Sequence, residues 1–271
     1  MPKKTYAAAF VDGIHSAMKS DKELRIMGTG FGGGHIGKLT KDFKNRLFDP
    51  PTSEGALAAL GTGAAMTGMP MMIHFGTSAF MLEAWNQICH EAAVSHYMTA
   101  GDIDVPVTFH GFHGVRVRGG PQHSTSPQAM AAHMPGLEVV LPSSPYDVKG
   151  LILRALRSRN PTFFLNHTKL MGIEGEVPTR AYEIPFGKAD IKRRGRDVTI
   201  VATSWMVQVT LAAAALLAEE GISAEVVDPR TAVPLDVKGI CASVRKTGHL
   251  VTVDEAPEMC SIASEIAASV A

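Results

Sequence analysis

Residues 56–73 carry no charged side chain, and no other feature restricts the fold as strongly. A run this apolar either crosses a membrane or lies in a protein core. Gly61, Gly63, Gly68, two threonines and Pro70 interrupt it. The interruptions favour a buried helix that runs into a buried strand. Thr52 or Ser53 can cap that helix, which the spacing predicts over 54–67.

The segments around it alternate in period. Residues 6–19 read as a helix and 24–27 as a strand that enters a glycine-rich stretch over 28–37. A second helix is predicted over 40–47. Phe80, Ala84 and Ile88 fall four residues apart and predict one long helix over 79–98. Strands follow over 105–110, 137–141 and 162–165, with a helix over 146–157. Such alternation implies βα units and a mostly parallel sheet.

Residues 171–188 are richer in Gly, Pro and charge and read as a linker. Beyond them the pattern restarts, with strands at 198–202, 224–227 and 250–253 and helices at 206–220, 236–246 and 261–269. The expected fold class is α/β, in two domains that each carry a mostly parallel sheet flanked by helices. The expected boundary gives 1–184, linker included, and 185–271.

Charge excludes some functions. Lys plus Arg and Asp plus Glu both number 26, so no basic excess exists to neutralise nucleic-acid phosphates. Cys89, Cys241 and Cys260 are far apart and form no CxxC pair, which fits a reducing cytoplasm. The N-terminus has too short an apolar run for a signal peptide.

Several motifs invite chemistry. Gly28, Gly30 and Gly33 make a GxGxxG match after a strand, but Asp49, where the acid ending the following strand is wanted, is followed by Pro50-Pro51 and fits a turn better. Residues 32–38 imitate a P-loop, yet Leu39 stands where a hydroxyl should hold magnesium. His110, His113 and His123 surround a glycine loop without the carboxylate or cysteine pair that a metal set needs, so no metal ligand is assigned. A histidine beside flexible glycines still suits proton transfer. Glu54 opens the uncharged helix. It reads either as a carboxylate favoured by the helix dipole or as a partly buried acid able to protonate a ring nitrogen.

A series of strings carries a more specific signal: Pro51-Thr52-Ser53-Glu54-Gly55, Gly61-Thr62-Gly63-Ala64-Ala65-Met66-Thr67-Gly68, Asn86-Gln87-Ile88, and Ala92-Ala93 ahead of Tyr97-Met98-Thr99-Ala100-Gly101. Gly119-Gly120-Pro121-Gln122-His123-Ser124, Pro135-Gly136-Leu137-Glu138-Val139-Val140, Pro145-Tyr146-Asp147-Val148-Lys149-Gly150-Leu151 and Asp228-Pro229-Arg230-Thr231 continue it. In order and spacing the series resembles the beta subunits of 2-oxo acid dehydrogenases, in the transketolase-like pyrimidine-binding superfamily, over nearly the whole chain.

The resemblance implies a thiamine-diphosphate enzyme. Glu54 matches the glutamate that hydrogen-bonds the aminopyrimidine and favours its imino tautomer. Phe80 matches the aromatic residue packed on that ring, and Gly76 falls where the backbone passes close to it. His123 matches the active-site histidine near the thiazolium, which helps bind substrate and steer acyl transfer to a lipoyl group. Magnesium and the diphosphate belong to the GDG…N motif of an alpha subunit, and no GDG occurs here. The resemblance thus implies half an active site, an α2β2 heterotetramer, a small 2-oxo acid as substrate and a lipoyl acyltransferase core as downstream partner, with neither nucleic acid nor membrane. Against the family the second domain is expected to be truncated.

The chain also departs from the family. Thr29-Gly30-Phe31 replaces the usual Glu-Asp-Val, Asn86 the usual Asp, His110 a common Arg, and Asn166 the usual Glu. Leu170-Met171 stands where the family has a Leu-Tyr pair. Three other readings stay open: an acetoin dehydrogenase beta subunit, a split transketolase-type half, for which Arg116 and Arg118 are the nearby phosphate candidates, and a non-catalytic partner subunit.

Overall fold

The computed structural model describes residues 1–28, 37–115 and 119–271. Most of the glycine-rich stretch, with both phosphate-loop matches, and the pair Arg116 and Arg118 lie outside the described residues.

In chain order the elements are β1 (Lys3–Thr5), α1 (Tyr6–Ser20), β2 (Arg25–Gly28), α2 (Gly37–Phe43), β3 (Leu47–Phe48), α3 (Glu54–Met66), β4 (Met71–Thr77), α4 (Ala93–Met98), β5 (Val107–His113), α5 (Gln128–Ala132), β6 (Glu138–Val140), α6 (Pro145–Ala155), β7 (Thr162–His167) and β8 (Glu174–Glu176). Then come β9 (Asp190–Arg193), β10 (Val198–Ala202), α7 (Trp205–Glu219), β11 (Ala224–Asp228), β12 (Thr231–Val233), α8 (Val237–Thr247), β13 (Leu250–Val253) and α9 (Ile262–Val270).

The larger sheet has the order β12-β6-β7-β5-β4-β2-β3. It is parallel except for β12, which pairs antiparallel with β6. The smaller sheet, β13-β10-β11-β9, is parallel except for β9. Among the described residues β1 pairs with β8 alone. The two sheets give the α/β architecture read from the sequence, and β12 ties the later part of the chain to the edge of the first sheet.

Alternation of side chains along a strand feeds a core on each face. Met71, Ile73 and Phe75 of β4, Val139 of β6 and Phe163 and Leu165 of β7 enter the core beneath α3 and α4. Their neighbours Met72, Val140 and Phe164 enter the opposite core, with Phe10 and Ile14 of α1 and Val148 and Ile152 of α6. Val201, Val227, Ile240 and Ile262 join the α3-side core, so the two sheets share apolar packing.

The uncharged stretch folds as α3 followed by β4. Gly61 lets the helix approach the strand: a Cβ there would sit 2.5 Å from Ile73 Cδ1. The helix is not buried all round, since Leu60 is 60% exposed. Ser53 takes the extended N-cap conformation without a side-chain capping bond. No helix of the described residues is long and apolar enough to cross a membrane.

The long helix predicted over 79–98 changes pitch twice. Residues Phe80–Ala84 form a 3-10 turn and Gln87–Ala92 a π-helical turn before α4 begins. The tighter repeat puts Met81 and Ala84 on one line, and the wider turn then brings Ile88, Cys89, Ala92 and Ala93 back to the core. Strands β1, β3, β8, β9 and β12, three of them three residues long, carry no pattern long enough to predict.

Candidate active site

In a parallel sheet each helix begins where the preceding strand ends, so helix N-termini and strand C-termini share one edge. Glu54, as the first residue of α3, lies on that edge. Gly76 lies near the end of β4, and Phe80 lies in the 3-10 turn just beyond it. His123 follows β5 in a short 3-10 turn.

These residues meet in part. The rings of Phe80 and His123 pack edge to face, with centroids 5.3 Å apart. His123 Nδ1 lies 3.1 Å from the Gly119 carbonyl, which orients the ring. Gly76 has φ +74, and a Cβ there would meet nothing within 4 Å. Glu54 is half-buried and makes no hydrogen bond or ion pair among the described residues. Gln87 lies across Gly55, with Oε1 3.7 Å from the position of a Cβ. The π-helical turn therefore delivers an amide beside the start of α3. A half-buried carboxylate without an internal partner, an aromatic pair and an open glycine suit a flat heterocycle with a hydrogen-bonding edge.

The histidines of the glycine loop diverge. His110 points into a buried polar chain: Tyr6 Oη donates to Asn166 Oδ1 at 2.7 Å, Asn166 Nδ2 lies 3.0 Å from His110 Nε2, and His110 Nδ1 lies 2.7 Å from His74 Nδ1. Burial, together with its neighbour His74, holds His110 well below the usual imidazole range. Burial lowers His74 to about 4. With both rings neutral, the amide donor facing Nε2 leaves the His110 proton on Nδ1, donated to His74. Donation runs in one direction across the strands, from Tyr6 through Asn166 and His110 to His74, with no charged member. Two departures noted in the sequence, His110 and Asn166, are thus direct partners.

His113 points elsewhere, with Nε2 3.0 Å from Ser204 Oγ. Burial lowers it to about 3, aided by His167. Among the described residues no group of three or more His, Cys, Asp or Glu could hold a metal ion. Gln87 stands in the Asn86-Gln87-Ile88 string, whereas His74 and the acidic pair Asp254 and Glu255 belong to no motif read from the sequence. Of these three, His74 alone carries a local signal, as a polar residue inside an apolar strand.

A second cluster joins the parts of the chain. Asp147 of α6 accepts from Lys192 Nζ at 2.5 Å and from Arg230 Nε at 2.8 Å. Burial pushes its carboxyl up, but the two cations outweigh this and hold it below the usual range. Asp228, deeply buried beside Asp147, is pushed up to about 6 despite Lys192.

Residues 2–173 match the family model described as transketolase, pyrimidine binding domain, and residues 187–271 match transketolase, C-terminal domain. Among curated proteins, the chain is 46% identical to the acetoin:2,6-dichlorophenolindophenol oxidoreductase subunit beta of Cupriavidus necator, over 84% of this chain and 67% of that one. It is 39% identical to the 2-oxoisovalerate dehydrogenase subunit beta of Bacillus subtilis, over 96% of this chain and 83% of that one. Among solved structures, one titled a split gene transketolase, inactive beta4 tetramer, superposes with a TM-score of 0.84 at 22% identity, covering 98% of this chain and 83% of that one; at that identity the likeness concerns the fold. Two domain matches spanning nearly the whole chain, with relatives of this similarity, show that the chain belongs to the transketolase-like, thiamine-diphosphate-dependent family of 2-oxo acid dehydrogenase beta subunits.

Proposed function

We propose that this chain is the beta half of a 2-oxo acid dehydrogenase decarboxylating component, with Glu54, Gly76, Phe80 and His123 on the pyrimidine side of its cofactor site. The observation that carries the reading is the half-buried, unpartnered Glu54 on the same sheet edge as the Phe80–His123 pair. Bound thiamine diphosphate supplies a nucleophilic carbon and an electron sink for cleavage next to a carbonyl. Glu54 would hold the cofactor there, its carboxyl sharing a hydrogen bond, and able to share a proton, with a ring nitrogen. Phe80 offers an apolar face to that ring, and Gly76 leaves it room. His123, oriented by the Gly119 carbonyl, would bind the substrate and could exchange a proton with it.

The diphosphate and its magnesium belong to an alpha partner in an α2β2 assembly, a division supported by the absence of a GDG string from the sequence. A lipoyl acyltransferase core is the expected acceptor. The work divides between residues 1–184, the pyrimidine side with its linker, and 185–271, the transketolase C-terminal-like part, in a cytoplasmic enzyme. A second reading, cleavage of acetoin on the same cofactor, is favoured by the Cupriavidus relative.

Glu54→Gln in the assembled enzyme tests the reading. Loss of general acid–base help is expected to lower turnover about 10²–10⁴-fold, with the circular dichroism spectrum unchanged. Unchanged turnover would support the non-catalytic alternative.

A further inference from the structure

We propose that Glu255, from the second part of the chain, is a positioning residue that fixes the end of β5 and, through the Thr125 carbonyl, the backbone that carries His123. The inference rests on the reading of His123 as an active-site residue.

Glu255 lies just beyond β13, yet both of its oxygens are used on the edge of the first sheet. Oε1 accepts from the Val115 backbone N–H at 3.1 Å, and Oε2 lies 2.5 Å from His167 Nε2. His167 Nδ1 accepts from Lys169 N at 3.1 Å. The ring proton therefore sits on Nε2, and His167 donates to Glu255 without needing a charge. Burial pushes the Glu255 carboxyl up, but the His167 and Val115 donors overcome it and hold it at about 2.

The next residue back closes the path. Gly114 has φ +87, and a Cβ on it would lie 1.9 Å from His167 Nε2. Only glycine lets the chain cross that ring. Gly114 N donates to the Thr125 carbonyl at 3.2 Å, and Ser78 Oγ donates to the same oxygen at 2.9 Å. Ser78 N is bonded in turn to Phe112 O at 2.7 Å. Thr125 stands two residues after His123, and Ser78 two before Phe80. One carbonyl thus ties the supports of both aromatic rings to the β5 end that Glu255 holds. Gln128 Nε2, 3.0 Å from Asp254 Oδ1, links the helix that follows to the same segment. A shift of the second part relative to the first sheet would reach His123 through these bonds.

The test compares Glu255→Ala, the isosteric Glu255→Gln and His123→Ala in the chain assembled with its alpha partner. Gln keeps the volume but presents an amide N–H₂ to one of the two N–H donors. Turnover is read with pyruvate and acetoin as probes, cofactor affinity by calorimetry, and amide exchange over 112–115 and 119–126 by mass spectrometry. For both Glu255 variants the expected result is about tenfold faster exchange confined to those segments, the rate equivalent of one lost hydrogen bond. With it, kcat falls about tenfold, and KM and thiamine-diphosphate affinity stay within about twofold. Unchanged exchange and kcat in both variants, with His123→Ala impaired, would overturn the linkage alone. Faster exchange throughout the chain would overturn it in favour of a general structural role. No effect of His123→Ala would overturn the site reading and the proposal together.

Discussion

Replacing His110 with Arg and Asn166 with Glu, singly and together, tests whether these two departures are one matched exchange. The side chains are 1% and 0% exposed and lie 3.0 Å apart. His110→Arg alone buries a guanidinium against an amide. Asn166→Glu alone buries a carboxylate, removes the amide donor and leaves only Tyr6 Oη and a neutral ring as partners. An unpaired buried ion costs about 3–5 kcal/mol, and a lost hydrogen bond adds about 1 kcal/mol. In the double variant each ion receives the other, so the total loss is expected to stay below either single loss. The interaction energy in a urea-unfolding cycle is expected at about 2–3 kcal/mol, the upper range for residues in contact. The Asn166→Glu single variant should also regain stability as pH falls, because a protonated His110 then faces its carboxylate. Single losses that add within about 0.5 kcal/mol would refute the claim that a neutral pair occupies the place of a charged one.

Stability is expected to fall as pH drops from about 6.5 toward 4. His74 and His113, held at about 4 and about 3, and His110, also lowered, stay neutral when folded, while in the unfolded chain they bind protons at ordinary imidazole values. Each excess proton steepens the slope by about 1.36 kcal/mol per pH unit, and urea midpoints across that range measure it. A flat profile there would contradict the buried neutral assignment. Asp147→Asn leaves Lys192 and Arg230 without their shared buried carboxylate and is expected to cost about 3–5 kcal/mol, seen in thermal unfolding; a loss below about 1 kcal/mol would show the cluster to be solvated. Gly114→Ala combines positive φ with a clash at His167 and is expected to cost more than about 1 kcal/mol, with faster exchange at Val115 as its second readout.

The sequence exposed what is local. The uncharged stretch over 56–73, the four-residue spacing of Phe80, Ala84 and Ile88 and the apolar strand cores reveal the βα alternation, because period is set by neighbours along the chain. Contacts between distant residues were invisible to it. Tyr6 and Asn166 are 160 positions apart, and the β12 edge pairing rests on three residues. The pitch changes before α4 bring Met81, Ala84, Ile88 and Ala92 onto one core, a tertiary demand that helix period does not encode. Glu54 stands out from its own surroundings as a lone acid opening an apolar helix, and His123 as a histidine beside flexible glycines. The cofactor roles of Phe80 and Gly76 rest on family resemblance, since helical spacing marks Phe80 only as a helix residue and a glycine has no distinctive local pattern. Glu255 gave no signal, because its role depends on a fold-back onto the end of β5.

The most direct test of the half-site reading is calorimetry of thiamine diphosphate with magnesium, for this chain alone and after co-expression with an alpha-type subunit. The account predicts tight binding for the pair only, abolished by Glu54→Ala, with the single chain silent. Tight binding by the single chain would contradict it, as would a pair that does not bind.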